Sequence, residues 1–248
     1  MTTQPAKKFK ILLLGDSCID IYQYGYVKRI SPEAPVPVFT FIHEETREGM
    51  SSNVKANLEM LGCEVKHIHG TTSIKTRLID THSKQHIVRI DNDKETEALC
   101  FIPDLVGYDA IVISDYCKGF ISYELVEQLR DRYAGPIFID TKKHDLLRFE
   151  GCIVKVNAAE ADAAISTPRN LIITIGEHGA VFRNEFFQGY PVTVRDVCGA
   201  GDTFLAALAY QYLICGSIEE SIDFANKASS ITVQKLGVYS PSFSEILT

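Results

Sequence analysis

Short apolar runs alternate with amphipathic stretches along most of the chain. The apolar runs are ILLLG (11–15), IVIS (111–114), PIFID (136–140), CIVKVN (152–157) and LIITIG (171–176). Stretches with helical spacing lie at residues 53–62, 121–133, 200–214 and 218–235. This alternation predicts an α/β fold with a largely parallel sheet. In such a fold the ligand binds at the carboxyl ends of the strands.

Two stretches, residues 21–41 and 74–90, interrupt this pattern. They alternate apolar and polar residues with the period of a strand, and neither contains a helix-like segment. We interpret them as an antiparallel flap beside the main sheet, within a single domain that spans residues 1–248. A flap with one apolar side closes over a ligand or packs against a second copy of itself.

Composition and charge narrow the classes of function. The chain has 248 residues, of which 46% are hydrophobic, and 25 Lys and Arg against 32 Asp and Glu give a formal net charge of −7. This charge offers no general attraction to nucleic acid or anionic lipid, so we expect neither as a partner. No apolar run approaches the ~20 residues of a membrane span, and no signal peptide is evident. The seven cysteines are scattered without a CxxC pair, which predicts a reduced, cytoplasmic protein without structural zinc.

The most specific string is DVCGAGDT at residues 196–203, which runs directly into the apolar segment FLAALAYQYL. A turn of Gly199, Ala200 and Gly201 that opens a helix leaves backbone N–H groups free at the positive end of the helix dipole, which suits a phosphate. Asp202, just inside that helix, is placed to accept the proton of an attacking hydroxyl. The alternative is a glycine-rich turn in which Asp202 only favours the start of the helix.

Polar residues after the first strand are candidates for binding a sugar. Asp16 and Asp20 can accept hydrogen bonds from sugar hydroxyls, although turn formers would look the same. Asn53 can read hydroxyls as donor and acceptor, while Gly49 lets the backbone approach the sugar closely. A plain junction between loop and helix is the alternative for this second pair.

Residues after three later strands suit the phosphates of a nucleotide. Asn157 and Glu160 share one helical face and can hold the water ligands of Mg²⁺, or they are an ordinary N-cap with its Glu at N3. Lys142 offers a point charge to a phosphate, and Lys118 to the substrate's own phosphate, unless both are surface lysines. The string TIGEHG (174–179) reads as a turn that admits a nucleotide or as a simple hairpin.

Together and in this order, the motifs resemble those of the ribokinase (PfkB) family of sugar kinases. GAGD opens a long helix near the carboxyl end, as in that family, and NAAE at 157–160 resembles its NxxE motif. Within the family, four strings are similar to those of the kinases that phosphorylate C1 of D-glycero-D-manno-heptose 7-phosphate. They are RISPEAPVPV (29–38), SDYCKG (114–119), IDTKK (139–143) and NKASSITVQKLG (226–237).

The resemblance implies a ribokinase-like three-layer α/β/α sandwich with a small β flap, and an ATP-dependent, Mg²⁺-requiring kinase of a sugar phosphate. It makes Asp202 the catalytic base and Gly199, Ala200 and Gly201 the donors to the transferring phosphoryl group. Its sugar contacts correspond to Asp16, Asp20, Gly49 and Asn53, with Lys118, Arg29 and Arg89 near the sugar's phosphate. Its nucleotide site corresponds to Lys142, Asn157, Glu160, Thr174, Gly176, Gly179 and Asn226, with Asn157 and Glu160 binding Mg²⁺ through water. It also implies a homodimer through the flap.

The chain departs from the family pattern in two ways. Met50 stands where a second Gly is usual and Val197 where Thr is common. In addition, a helix and a strand are missing after residues 64–70, and a crossover helix is missing between Glu160 and Leu171. The first loss predicts a smaller sheet or a changed edge. Two alternatives stay open: a kinase of another sugar or a nucleoside, and a non-catalytic sugar-binding protein with an eroded nucleotide site.

Overall fold

A computed structural model describes residues 8–248 as two sheets with helices around the larger one. In chain order the strands are β1 (Lys10–Gly15), β2 (Ser17–Ile30), β3 (Pro37–Met50), β4 (Glu64–His69), β5 (Ser73–Asp80), β6 (His86–Asn92), β7 (Ala110–Asp115), β8 (Ile137–Thr141), β9 (Ile153–Asn157), β10 (Leu171–Thr174), β11 (Gly179–Phe182) and β12 (Glu185–Gln188). The α-helices are α1 (Ser51–Met60), α2 (Tyr123–Arg132), α3 (Ala158–Asp162), α4 (Ala200–Cys215), α5 (Ile218–Thr232) and α6 (Phe243–Leu247). Short 3₁₀ turns lie at Leu146–Phe149 and Gly176–His178.

The main sheet has the strand order β12-β11-β10-β9-β8-β7-β1-β4. In this sheet, each neighbouring pair from β4 through β1, β7, β8 and β9 to β10 is parallel. Only the pairs β10 with β11 and β11 with β12 are antiparallel. Strand β1 is apolar from Ile11 to Leu14 because both faces of the sheet are covered. Ile11 and Leu13 pack into the core with α1, α4 and α5, whereas Leu12 and Leu14 pack into the core with α2. The predicted α/β/α sandwich is confirmed.

The second sheet is the predicted flap, with the strand order β3-β2-β5-β6. Its outer pairs are antiparallel, but the central pair of β2 and β5 is parallel, so the expectation of a wholly antiparallel flap is wrong. The reason lies in the main sheet. Strands β2 and β5 continue closely after β1 and β4, which are parallel neighbours, and they keep that direction. The flap also reaches further than expected, to Met50 and Asn92.

The two connections in which the sequence predicts missing segments are short in this structure. Strand β5 begins four residues after the end of β4, at Ser73, and β4 is an edge of the main sheet. The parallel neighbours β9 and β10 are joined through residues 158–170, in which α3 has only 5 residues. The main sheet has eight strands with β4 at one edge, and the expectation of a smaller sheet or a changed edge relative to the family stays a prediction.

The surface of the flap carries exposed apolar side chains at Phe41, Ile42, Val88 and Ile90. The homodimer through the flap stays a prediction. Within residues 8–248, no helix combines the length and the apolar character that a membrane span requires.

Two adjacent leucines test the packing on the α2 face of the sheet. Leu146 is fully buried, whereas Leu147 is 52% exposed. We expect Leu146→Ala to lower the free energy of unfolding by about 2–5 kcal/mol, because it leaves a cavity in the core. The same substitution at Leu147 is expected to change it by less than about 0.5 kcal/mol. Urea denaturation measures both, and equal losses would contradict this packing.

Candidate active site

The candidate site lies where the carboxyl ends of β1, β7, β8 and β9 meet the first turn of α4. Asp202 is the third residue of that helix and is only 4% exposed. Its Oδ2 accepts a hydrogen bond of 2.9 Å from Nδ2 of Asn53, at the start of α1. Its Oδ1 accepts one of 3.0 Å from the hydroxyl of Tyr116, just after β7. Three elements far apart in the chain therefore hold one carboxylate.

Burial raises the pKa of Asp202 to about 6. The hydrogen bond from Asn53 opposes this rise, the nearby carboxyl of Asp140 adds to it, and Lys155 and the Tyr116 hydroxyl lower the pKa again. Such a group is ionised at neutral pH and is still basic enough to take a proton, which is the property required of a general base.

The first turn of α4 presents unpaired backbone donors. Within the described chain, the N–H groups of Gly201 and Asp202 have no backbone acceptor, as expected for the start of a helix. Gly199 precedes the helix with φ 77°, and a Cβ there would lie 2.6 Å from Nδ2 of Asn53. Only glycine fits this conformation in so little space. A turn of this geometry suits an anion close to Asp202, as predicted from the sequence, and its role in binding one stays a prediction.

A buried lysine lies beneath this turn, and the sequence analysis missed it. Lys155, in β9, is 4% exposed and forms an ion pair of 2.7 Å with Oδ2 of Asp140 in β8. Its Nζ is 2.9 Å from the point that a Cβ on Gly201 would occupy. The sequence contains one sign of it, a lysine inside the apolar run CIVKVN. Because a lysine is rarely buried without a partner, this position indicates a buried ion pair.

The sugar-binding candidates Asp16 and Asp20 are both buried, and Asp16 is connected to Asp202 through Tyr116, which donates to both. Oδ2 of Asp16 accepts hydrogen bonds from the backbone N–H groups of Tyr116 (2.8 Å) and Lys118 (3.1 Å). Its Oδ1 is buried and has no hydrogen-bond partner in the described chain, so it can accept from a ligand hydroxyl. Burial raises the pKa of Asp16. Asp20 forms an ion pair with Arg77 of β5, which the sequence analysis did not single out.

Gly49 and Asn53 both contact candidate carboxylates: Gly49 lies next to Asp20, and Asn53 donates to Asp202. A Cβ on Gly49 would lie 2.4 Å from Oδ2 of Asp20, so this glycine makes room for that side chain. Asn53 is 2% exposed, and its Oδ1 accepts from Nδ2 of Asn57 at 3.3 Å while its own amide donates to Asp202. Met50, between the two candidates, is buried at the start of α1.

The three candidates for the sugar's phosphate occupy different places. Lys118 forms an ion pair of 2.6 Å with Asp93, and Arg89 binds both carboxylate oxygens of Asp91 at 2.7 and 2.6 Å. Arg89 is the register partner of Arg77, which contacts Asp20. Arg29 is exposed near the end of β2, nine residues beyond Asp20, or about 30 Å along a strand. The expectation that Arg29 reaches a sugar in the same subunit is therefore wrong.

On the other side of the α4 turn lies a cavity of about 610 Å³. Four of the predicted nucleotide-binding residues line it, together with Ala200 and Gly201: Thr174, Gly176, Gly179 and Asn226. Asn226 is tied to the cavity wall, because its amide donates to the carbonyl of Phe187 at 3.2 Å. Lys142 is not part of the lining. Its ammonium lies 4.9 Å from the centre of the Tyr116 ring.

Asn157 and Glu160 form the capping box of α3. Oδ1 of Asn157 accepts from the N–H of Glu160 at 2.9 Å, and Oε2 of Glu160 accepts from the N–H of Asn157 at 2.8 Å. The two residues therefore form the ordinary N-cap with its Glu at N3 that the sequence also allowed. Oε1 of Glu160, however, has no hydrogen bond in the described chain. Residues 8–248 hold no group of three or more His, Cys, Asp or Glu that would bind a metal alone. One carboxylate oxygen fits Mg²⁺, which keeps several waters and binds the phosphates of its nucleotide.

The flap is tied to the turn before α4. Arg47 of β3 donates from Nη1 to the carbonyl of Leu236 at 2.6 Å, and Gly237 donates its N–H to Asp196 at 2.8 Å. Val238 in the same segment packs against Gly199. Residues 236–238 therefore contact both the flap and the segment that leads into α4.

Comparison with known proteins agrees with this architecture. The model of the pfkB family carbohydrate kinases matches residues 122–245, half of the chain, which include the α4 turn and Asp202. The chain belongs to the PfkB family of carbohydrate kinases.

The relatives among curated proteins include bifunctional proteins HldE. The one from a Nitratiruptor species is 32% identical over 96% of this chain, and the one from Helicobacter pylori is 29% identical over 96%. The chain spans 64% and 65% of their respective lengths. The first alignment runs over 300 positions, 52 more than the 248 residues of the chain. Relatives of this length therefore contain internal segments that this chain lacks.

Solved structures share the fold at low identity. Ribokinase from Thermotoga maritima has a TM-score of 0.69 and 18% identity, covering 96% of this chain and 98% of its own. Arabidopsis thaliana ribokinase complexed with ribose and ATP has a TM-score of 0.71 and 15% identity, covering 97% and 98%. The fold is thus ribokinase-like, as predicted.

The buried charge of Asp202 predicts a pH-dependent cost in stability. Because its pKa is raised from 3.8 to about 6, the stabilising contribution is complete below pH 4 and is lost as the pH rises through 6. We expect the stability of Asp202→Asn relative to the native protein to increase by about 2.5 kcal/mol between pH 4 and pH 7.5. Urea denaturation at the two pH values measures it.

Asp131→Asn is the matched control, because the Asp131 side chain is 72% exposed. The control variant should follow the native protein at both pH values. If the difference in the free energy of unfolding between Asp202→Asn and the native protein does not change with pH, the pKa of Asp202 is not raised by burial.

Proposed function

We propose that this chain is an ATP-dependent kinase that transfers a phosphoryl group to the anomeric hydroxyl of a heptose 7-phosphate. One observation carries the proposal: a buried carboxylate of raised pKa lies at the start of α4, between the Asp16 side of the site and the cavity of about 610 Å³. A phosphoryl acceptor and a nucleotide would meet at that carboxylate from opposite sides.

The acceptor's hydroxyl would be activated by Asp202. Oδ1 of Asp16, buried and without a partner in the described chain, accepts a hydrogen bond from the sugar and orients it. Asp202 takes the proton of the attacking hydroxyl as its oxygen forms a bond to the γ-phosphorus. The bond between that phosphorus and the oxygen bridging to the β-phosphate breaks, so the electron pair leaves with ADP. The proton stays on Asp202 until solvent removes it.

Charge on the transferring group would be stabilised by the α4 turn. The N–H groups of Gly201 and Asp202 have no backbone acceptor in the described chain, and with that of Gly199 they form the proposed anion site. The N–H of Ala200, also predicted as a donor, is already used, because it donates to the carbonyl of Val197 at 3.3 Å. Lys155 supplies a positive charge beneath this turn. These donors are fixed by the helix before the reaction, so they need little reorganisation when the phosphoryl group passes.

The nucleotide would occupy the cavity between Thr174 and Asn226. Glu160 and Asn157 would hold Mg²⁺ through its water ligands, and the ion would neutralise the charge of the phosphates. Lys142 adds an exposed cation next to the ring of Tyr116. In two solved relatives of this fold, ATP or ADP is named as the ligand: ribokinase of Arabidopsis thaliana and ribokinase of Cryptococcus neoformans.

The acceptor class is inferred from sequence likeness and from charge. Four strings resemble those of heptose 7-phosphate kinases, and bifunctional proteins HldE are among the relatives. For the phosphate of such a sugar we propose Arg89 and Lys118, both near the β5 and β6 side of the Asp16 and Asp20 site. Their acidic partners Asp91 and Asp93 are exposed at the surface, so a phosphate can exchange with them at little cost.

The first test is ATP consumption with Mg²⁺ and a panel of phosphorylated and unphosphorylated sugars and nucleosides. We expect heptose 7-phosphate to have the highest kcat/KM, and Asp202→Asn to lower kcat by about 10²-fold or more, since it removes the base. Asp131→Asn serves as the control and should keep full activity.

The panel also separates the alternatives. A higher kcat/KM with another sugar or a nucleoside would mean that this compound is the acceptor, and the proposed kinase mechanism would be unchanged. A protein that binds a sugar but shows no turnover with any member of the panel would contradict catalysis and favour a sugar-binding protein.

Arginine substitutions test the phosphate end of the acceptor. We expect Arg89→Gln to raise KM for the phosphorylated sugar by about tenfold, with little change for its unphosphorylated form, because one charge-assisted contact is lost. Arg29→Gln is the matched control and should leave both KM values unchanged. An equal rise with both sugars would exclude a role of Arg89 in reading the phosphate.

A further inference from the structure

Tyr116 is the residue through which the two carboxylates of the candidate site are connected. Its hydroxyl donates to Oδ1 of Asp202 at 3.0 Å, and its backbone N–H donates to Oδ2 of Asp16 at 2.8 Å. The centre of its ring lies 4.9 Å from the ammonium of Lys142. We propose that Tyr116 is a positioning residue, which holds Asp202 in its reactive orientation and keeps that carboxylate ionised. This inference rests on the proposed function.

The segment that carries Tyr116 is fixed from both ends. Asp115, 2% exposed, accepts from the hydroxyl of Thr141 at 2.7 Å, from Nζ of Lys143 at 2.8 Å and from the N–H of Cys117 at 3.0 Å. Cys117 has φ 57°, a conformation that a residue other than glycine adopts only when its surroundings impose it. Such an over-determined turn fixes the backbone from which the Tyr116 side chain extends to Asp202.

The hydroxyl can act only as a donor toward Asp202. Burial, followed by the nearby charges of Asp202 and Asp140, raises the pKa of Tyr116 well above its usual range, so the phenol keeps its proton. Each carboxylate oxygen has two acceptor positions. Asn53 uses one on Oδ2 and Tyr116 uses one on Oδ1. Positions on both oxygens therefore remain for the hydroxyl of the sugar.

Other groups also influence the charge of Asp202, and they come from every element around it. Asn53 on α1 donates to it, and Asp140 on β8 and Lys155 on β9 face it from below. Cys18 on β2 is close enough to interact electrostatically. None of these groups changes when the Tyr116 hydroxyl is removed. The variant Tyr116→Phe thus isolates the contribution of one hydrogen bond.

The experiment compares Tyr116→Phe with the native protein in two ways. In kinetics, we expect the acidic limb of the profile of kcat/KM against pH to move up by about 1 pH unit, which is tenfold in the ionisation equilibrium. The fold loss should grow as the pH falls through 7 and reach about tenfold below pH 6. It should lie mainly in kcat, with KM for the sugar nearly unchanged, because Tyr116 contacts Asp16 only through its backbone.

The second measurement does not require turnover. NMR of protein labelled with ¹³C at the aspartate carboxyl carbons, with the Asp202 signal assigned by its loss in Asp202→Asn, follows the ionisation of Asp202 directly. We expect its midpoint to rise from about 6 to about 7 in Tyr116→Phe. Tyr133→Phe is the matched control, because the Tyr133 hydroxyl donates to the carbonyl of Tyr108 at 3.1 Å, outside the site.

An unchanged Asp202 midpoint in Tyr116→Phe would overturn the proposal, as would an equal change in Tyr133→Phe. A fall in activity at all pH values with an unchanged midpoint would also overturn it, because a merely structural role predicts that result. If the native protein turns over no sugar, the proposed function fails, and the NMR titration still decides whether Tyr116 holds the charge of Asp202.

Discussion

The burial of one carboxylate, that of Asp202, is the constraint around which the site is organised. Removing a charge from water is costly, and the pKa of about 6 expresses that cost. The hydrogen bonds from Asn53 and Tyr116 and the nearby charge of Lys155 compensate for part of it. The first turn of α4 adds N–H groups and the positive end of its dipole. Each compensating group comes from a different element, so the main sheet, α1 and α4 must all be in place before the charge is tolerated.

The topology explains how these groups meet. Asp202 is 149 residues from Asn53 and 86 residues from Tyr116 in the chain. The parallel strands β1, β7, β8 and β9 end at the same edge of the sheet, and α4 begins there. Asp16, Tyr116, Asp140 and Lys155 are therefore neighbours although each belongs to a different strand or its following loop.

Local patterns in the sequence were sufficient for most of the elements and for the position of Asp202 at the start of α4. The start of α4 at Ala200 and the alternation of apolar runs were predictable, because helix starts and buried strands depend on nearby residues. The partners of Asp202 were not predictable. Nothing in the neighbourhood of Tyr116 or Lys155 indicates which distant part of the chain each will contact. The parallel pairing of β2 with β5 was missed for the same reason, since it follows from the pairing of β1 with β4.

The losses from this chain fall where the fold can tolerate them. The first predicted loss lies after β4, at an edge of the main sheet, and the second lies between β9 and β10, where the connection contains only the five-residue α3. Neither removes a strand that carries Asp16, Tyr116, Asp140 or Lys155. The second loss is next to Asn157 and Glu160, which still form a complete capping box at the start of α3. A five-residue helix with that cap keeps the carboxylate of Glu160 at the end of β9. A short connection between β9 and β10 is therefore compatible with an intact set of groups around Asp202.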